Sequence, residues 1–361
     1  MVTVNQALLE ADIGRQIDLA HYSNGVVRRM IATLNRVDRD LFMQLMAALE
    51  NLPASSFTAE RLDSLLMSVR MTNAQAYRAL DGGLTAELQQ LTAVEVAYQN
   101  ELFVKLLPVE LRVATVSVGQ VFAAAMARPM QGRLLKEWAA SIETDRMTRI
   151  RDAIRIGYVE NQTISQMVQR VRGTKINGFA DGIIEIDRRN AEAVVRTAVG
   201  HTAGFARDDF YKANDDLVKG LIWNSTLDSR TSPTCVVRDG KRYGLDHKPV
   251  GHSLPWLGGP GAAHWNCRSS STAVVKSLGE ILGIDGLSDF TPTTRASMDG
   301  QVAADLTYPQ WLAKQSASRQ DEVLGPTRGA MLRKGEITVE KFFNNRGTFL
   351  TIEQLSAKGI K

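Results

Sequence analysis

Residues able to do chemistry crowd into one stretch of the chain. Trp223, Asp228, Arg230, Thr231, Cys235, Asp239, Gly240, His247, His252, Trp256, His264, Trp265, Cys267 and Arg268 all lie within positions 223–268. Three of the five histidines and both cysteines are among them, so thiol or imidazole chemistry has to be sought here. His264-Trp265-Asn266-Cys267 is a His-x-x-Cys pair, and Cys235 with His247 or His252 would complete four tetrahedral zinc ligands. The set taken forward is Cys235, His252, His264 and Cys267. Its spacing is that of no standard zinc finger, and two other arrangements stay open. The cysteines can be buried bare thiols, or can form a bridge after release into an oxidising environment.

A hydrolytic zinc would need three protein ligands, an open position and a carboxylate within reach of the bound water. Asp228 and Asp239 are the candidates, provided the fold brings one of them there. The chain contains no His-Glu-x-x-His, no Gly-x-x-x-x-Gly-Lys-Ser/Thr and no Gly-x-Ser-x-Gly. The loop Gly258-Gly259-Pro260-Gly261 lacks the Lys-Ser/Thr that would follow it in a phosphate cradle. A non-enzymatic reading is therefore preferred, with a zinc-dependent hydrolase or nucleotide-binding transferase as the alternative.

The elements that must position this cluster change character along the sequence. Phe42, Leu45, Met46 and Leu49 repeat at the spacing of one helical face. Leu62, Leu65, Leu66 and Val69 repeat it behind Thr58 as N-cap, and Leu135, Trp138, Ala139 and Ile142 repeat it again. Thr163-Ile164-Ser165-Gln166 has the form of a capping box, opening a helix that turns Ile164, Met167, Val168 and Val171 inward and stops at Gly173. Residues 1–180 are thus expected to form an almost wholly helical domain, its stripes serving packing. Ile183-Ile184-Glu185-Ile186 reads as a short strand, followed by a helix from Arg188 to about Asn214.

From Leu217 the texture changes. Leu221-Ile222-Trp223 and Cys235-Val236-Val237 read as strands, Asp239-Gly240 as a hairpin turn, and the Gly/Pro-rich residues 251–264 as a loop or flap. Strands should cluster between about 217 and 275. The fold class that follows is α+β: a long mainly helical first half, a small α+β module over 188–290, and a basic C-terminal extension over 300–361.

The whole chain has 361 residues and a formal net charge of +4, enough length for two or three domains. Hydrophobic residues at 44% and charged residues at 23% are globular values that argue against wholesale disorder. The longest apolar run, Val121 to Ala127, is far short of the ~20 residues that cross a bilayer, so no membrane insertion is expected. Met1 to Gln6 has neither a basic start nor an apolar run, so no signal peptide is expected. Residues 133–172 carry eight positive and five negative side chains, for which Asp145–Arg149 and Asp152–Arg155 offer self-pairing at helical spacing.

The cluster also has a familiar order. Trp223, then Asp228-Ser229-Arg230-Thr231, Cys235, Asp239-Gly240-Lys241, and His264-Trp265-Asn266-Cys267-Arg268 resemble the frame of the phage Mu F-like head morphogenesis (minor head protein) family. Arg196-Thr197 fits the helix that precedes this frame. Tyr308-Pro309-Gln310-Trp311-Leu312, Gln320 to Gly325 and Leu332 to Gly335 resemble a tail often found with it. The resemblance covers roughly residues 160–355. Many members end the frame Cys-Arg-Cys, whereas this chain reads Cys267-Arg268-Ser269.

The resemblance implies a structural virion protein of the phage head, bound to the portal protein or the major capsid protein. It also implies possible contact with packaged DNA, and residence in the host cytoplasm during assembly. Asp228 or Asp239 would then pair with Arg230 or Arg268 to hold loops together. In the extension, Lys314, Arg319, Arg328, Arg333, Lys334, Lys341, Arg346, Lys358 and Lys361 are interleaved with glycines and with Trp311, Leu312, Val323, Leu324, Phe342, Phe343 and Phe349. A basic segment that apolar should dock in a protein groove in preference to DNA.

Overall fold

The computed structural model describes residues 4–52, 58–107, 111–282, 294–303, 306–344 and 346–357. Lys358 and Lys361 of the basic extension lie outside the described residues, as do residues 283–290 of the expected module. In chain order come α1 (Val4–Glu50), α2 (Ala59–Leu65), α3 (Met67–Leu106), α4 (Val118–Met126), α5 (Leu135–Val159), α6 (Ile164–Arg172) and α7 (Ile183–Ala213). Then β1 (Val218–Asn224), α8 (Pro233–Val236), β2 (Arg242–Tyr243), β3 (Pro249–Val250), β4 (Ser270–Val275) and α9 (Leu278–Leu282) follow. The last elements are β5 (Thr294–Ser297), β6 (Gly300–Ala303), α10 (Tyr308–Ala313), α11 (Ala317–Leu324), α12 (Pro326–Arg333) and α13 (Ile352–Ala357). The architecture is α+β, with long helices first and a small antiparallel sheet after them.

Two compact units share these elements. One holds residues 1–21, 91–125 and 199–361; the other holds 22–90 and 126–198. The chain thus passes from one unit to the other within α1, α3, α4 and α7, so no boundary falls between 180 and 188. The sequence shows no such boundary because a helical stripe runs on without interruption while the partners it packs against change.

The second unit is helical, and its core is built from the expected stripes. Leu45, Leu49, Leu62, Leu66, Val69, Ile150, Ile154, Met167 and Val171 are buried together. Thr58 caps α2 by accepting from Arg61 N, and Thr163 with Gln166 forms the capping box of α6, which ends at Gly173. Residues 183–186 are not a strand but the first turn of α7. Ile184, Asp187, Ala191, Val194, Val195 and Ala198 are all buried along one face, and that period overrides the β preference of the isoleucines. The ion pairs also differ from those expected. Arg149 pairs with Asp187 at 3.3 Å and Arg151 with Asp152 at 3.3 Å, while Arg146 is buried against Asp38, which Arg188 also contacts at 2.8 Å.

The first unit carries the sheet, in the order β3-β2-β1-β4 and antiparallel throughout. Leu221 stands between Tyr243 and Ala273, and Trp223 opposite Ser271. Leu8 of α1, Phe103 of α3 and Phe210 and Tyr211 of α7 pack with Leu221, Trp223, Tyr243 and Ala273, and both cysteines belong to this core. β5 and β6 pair as a separate hairpin beyond the expected 217–275 span.

Two local readings are corrected. Cys235-Val236 is helical, because Ser232 caps the turn by accepting from Cys235 N and Pro233 occupies its first position, a pre-organised helix start. Asp239-Gly240 is not a two-residue hairpin. Gly240, at φ +74°, returns the chain from α8 to the sheet, donating its N–H to Trp223 O at 2.8 Å.

The C-terminal extension docks on its own chain. Tyr308, Trp311, Leu312, Leu324, Phe342, Phe343, Leu350 and Leu355 close a core around Leu227, Val236 and Val237. The apolar content that argued for a protein groove is accounted for by this intramolecular one.

Candidate functional site

The frame residues occupy the loops that leave and re-enter β1 and β4. Directly after β1, the Asp228 carboxylate accepts from Arg230 N at 3.0 Å and from the Thr231 hydroxyl at 3.1 Å, which closes the 228–231 turn on itself. Arg268, just before β4, sets a two-pronged guanidinium on the same carboxylate, Nη1 to Oδ2 at 2.5 Å and Nη2 to Oδ1 at 2.8 Å. Burial alone would raise the Asp228 carboxyl, but the Arg268 fork outweighs it and holds the group below its ordinary value. Arg230 is not a second partner of that kind: it lies 4.0 Å from Asp228 with 82% of its side chain exposed.

Asp239 joins three elements. Its Oδ1 accepts from Ser225 N after β1 and its Oδ2 from Tyr308 N at the start of α10, both at 2.7 Å. Tyr308 in turn donates its hydroxyl to Asp228 O at 2.8 Å, so the tail and the frame are tied at two points. Trp223, fully buried, lies edge-on to Trp256 with ring centres 5.5 Å apart, and the Arg238 guanidinium stands 5.8 Å over its ring.

Between these loops, three metal-ligating side chains converge. His264 Nε2 lies 3.1 Å from Cys235 Sγ, and Cys235 Sγ lies 3.7 Å from Cys267 Sγ. All three donor atoms lie within 4.8 Å of one another. The α8 turn supplies Cys235, and the loop ahead of β4 supplies His264 and Cys267. That loop reaches the site through a close approach to α7. Gly261, at φ +89°, lies so near Gly200 that a Cβ on it would come within 2.5 Å of Gly200 O. From there the Gly261 N–H bonds Cys267 Sγ at 3.3 Å. Burial pushes the Cys235 thiol up, whereas the hydrogen bond with Cys235 and the nearby His264 ring hold Cys267 well below the usual thiol range.

The other two histidines stand apart. His252 donates Nε2–H to Arg242 O at 2.8 Å and accepts at Nδ1 from Leu254 N at 3.1 Å, so both ring nitrogens are used and His252 is not the fourth donor expected of it. His247 pairs with Asp208 at 2.9 Å and stacks on Trp256. The residues that sequence reasoning passed over are serines. Ser232 Oγ sits 2.6 Å from His264 Nε2, and Ser269 Oγ lies 3.5 Å from Ser225 Oγ. The Ser-Pro pair at 232–233 was the available signal for the first, since it marks a capped helix start beside a candidate ligand.

Residues 130–272 match the family described as Phage Mu protein F like protein. The match holds the whole frame from Trp223 to Arg268 and ends inside β4. No curated protein and no solved structure matches the chain.

Proposed function

From the Mu F-like region that spans residues 130–272, a family of phage head morphogenesis proteins, we propose that this chain is a minor head protein. In this reading it is a structural component of the virion that binds the portal or the inner face of the capsid and assembles there in the host cytoplasm. The observation that carries it is the use made of the frame inside the match. Asp228 with Arg268, and Asp239 with Ser225 and Tyr308, spend their charge on holding loops and tail together. Residues committed in this way build a rigid surface for a partner.

One observation favours the enzyme reading. Two cysteines and one histidine leave a fourth position, as catalytic zinc sites do. It gains no further support, because the two carboxylates that could serve as base are the ones already engaged. Contact with packaged DNA is the thinner part of the proposal. In the tail, Arg319 pairs with Glu322, Arg333 with Asp321, and Arg328 donates to Leu350 O.

Co-expression with the portal and major capsid proteins tests the reading. A fixed number of copies per assembled head, counted by quantitative mass spectrometry and lost when the portal is omitted, is expected. Heads that exclude the chain, or take it up in proportion to its concentration, would reject the structural role.

A further inference from the structure

We propose that Cys235, His264 and Cys267 are ligands of a structural zinc ion, with an oxygen in the fourth position, that locks the α8 turn to the loop ahead of β4. The geometry supports this independently of any role in the head. Two sulfurs bound to one tetrahedral zinc at 2.3 Å each are about 3.8 Å apart, and Cys235 Sγ and Cys267 Sγ stand at 3.7 Å. A disulfide needs about 2.05 Å.

The imidazole is set in the orientation a ligand requires. His264 Nδ1 lies 2.9 Å from Trp265 O. A carbonyl only accepts, so Nδ1 carries the ring proton and the Nε2 lone pair is left facing the sulfurs. Fixing one ring nitrogen on a backbone carbonyl is how metal-bound histidines are commonly oriented.

The surroundings suit thiolates as well. Gly261 N–H points at Cys267 Sγ, and that glycine is required by both its positive φ and its approach to Gly200. The Ser232 hydroxyl lies 2.6 Å from Nε2. These are neutral donors placed around the sulfurs and the lone pair, and a hydroxyl or a water among them can supply the fourth oxygen. The donor set, two soft sulfurs and one imidazole, suits zinc over the hard cations. A metal there would join the α8 turn to the loop at residues 264–267, neither of which belongs to the sheet.

The test uses the full chain, purified under reducing conditions, incubated with zinc and desalted. One zinc per chain, with two sulfur neighbours in X-ray absorption, is the expected result. Cys267→Ser and His264→Ala should lose stoichiometric zinc, and a chelator should lower the melting temperature of the wild type but not of Cys267→Ser. Zinc-free protein in which both thiols titrate after incubation would overturn the proposal. So would a Cys235–Cys267 disulfide in the chain as isolated from cells, or zinc held undiminished by Cys267→Ser. Each readout is made on the isolated chain, so failure here leaves the head-protein reading standing, and failure in assembly leaves the metal standing.

Discussion

The Cys/His frame and the charge cluster formed by Asp12, Glu95 and Arg207 belong to the same unit and are both shielded from water, yet they are held together differently. In the frame, side chains that meet one another are at most 40 positions apart, as in Cys235 with His264 and Asp228 with Arg268. Much of the frame's bonding is also between a side chain and nearby backbone. In the charge cluster, Arg207 of α7 reaches Glu95 of α3 across 112 positions, at 3.1 Å, and Arg15 of α1 reaches the same carboxylate across 80, at 3.0 Å. Glu95 and Arg207 are all but fully buried. The frame is thus a local device with exposed edges. The charge cluster is a bolt through three long helices, and its failure should be the more costly.

Replacing Arg207 breaks that comparison if it is wrong. Arg207→Met removes the guanidinium that serves Glu95 and also donates to Ser271 O at 3.2 Å on β4. It leaves Glu95 with Arg15 alone and takes from Asp12 the cation that lowers its carboxyl. Removing one partner of a buried ionic group costs about 3–5 kcal/mol. Chemical denaturation of the variant should show a loss of that order. A loss below about 1 kcal/mol would mean that water reaches the cluster, since only a solvated pair is that cheap.

The two regions should also answer pH with opposite signs. Burial raises the Asp12 carboxyl from 3.8 to about 6, against the pull of Arg207. Between pH 4 and 6 the native state then holds a proton that the unfolded chain has released, so stability falls as pH rises through that window, by up to about 3 kcal/mol. Asp228 is lowered, so its contribution is present above its unfolded value and is lost as pH falls below about 4. Asp187 of the helical unit is raised to about 6 as well and titrates with the sign of Asp12. The informative quantity is therefore the difference between wild type and Asp12→Asn, whose profile should be flatter from pH 4 to 6. Superimposable profiles would remove Asp12 from the account.

The same contrast explains what the sequence disclosed. Cys235, His264 and Cys267 were legible because rare types lie close together and a buried polar group has to find a partner. His252 was a false member for the same reason: proximity in sequence counted it in, while a backbone carbonyl at Arg242 had already taken its Nε2. The helical stripes at Leu45, Leu62 and Met167 were legible because period 3.6 is local. Glu95 and Arg207 are common residues on amphipathic helices, and nothing in their neighbourhoods marks one as the partner of the other. The tail was half legible. Its apolar residues announced a groove, but not that Leu227, Val236 and Val237 line it.

A smaller effect tests the joint between frame and tail. Asp239→Ala strands the N–H groups of Ser225 and Tyr308, both in buried residues. Unsatisfied buried donors cost about 1–3 kcal/mol, so a loss of about 2–3 kcal/mol is expected. It should come with protease cleavage ahead of Tyr308, because α10 loses its tether. Asp239→Asn retains one acceptor oxygen and should fall between. Equal cleavage of wild type and Asp239→Ala would show that the apolar core alone holds the tail.

The smallest effects lie within the frame itself, where two arginines share the carboxylate of Asp228. Arg268 makes the fork and keeps 35% of its side chain exposed, so Arg268→Met should cost about 1 kcal/mol, the upper range for a pair that solvent still reaches. Arg230 sits at 4.0 Å with 82% of its side chain in water, and Arg230→Ala should change stability by less than about 0.5 kcal/mol. The turn it belongs to is closed by its own N–H on Asp228 and by Thr231, neither of which needs the guanidinium. Arg230 is thus the frame residue whose side chain the fold does not use, and its guanidinium is free to meet a partner. Thermal melts of the two variants side by side should rank Arg268→Met below Arg230→Ala. If Arg230→Ala proves the less stable of the pair, then Arg230 and not Arg268 is the counter-charge of Asp228 in solution.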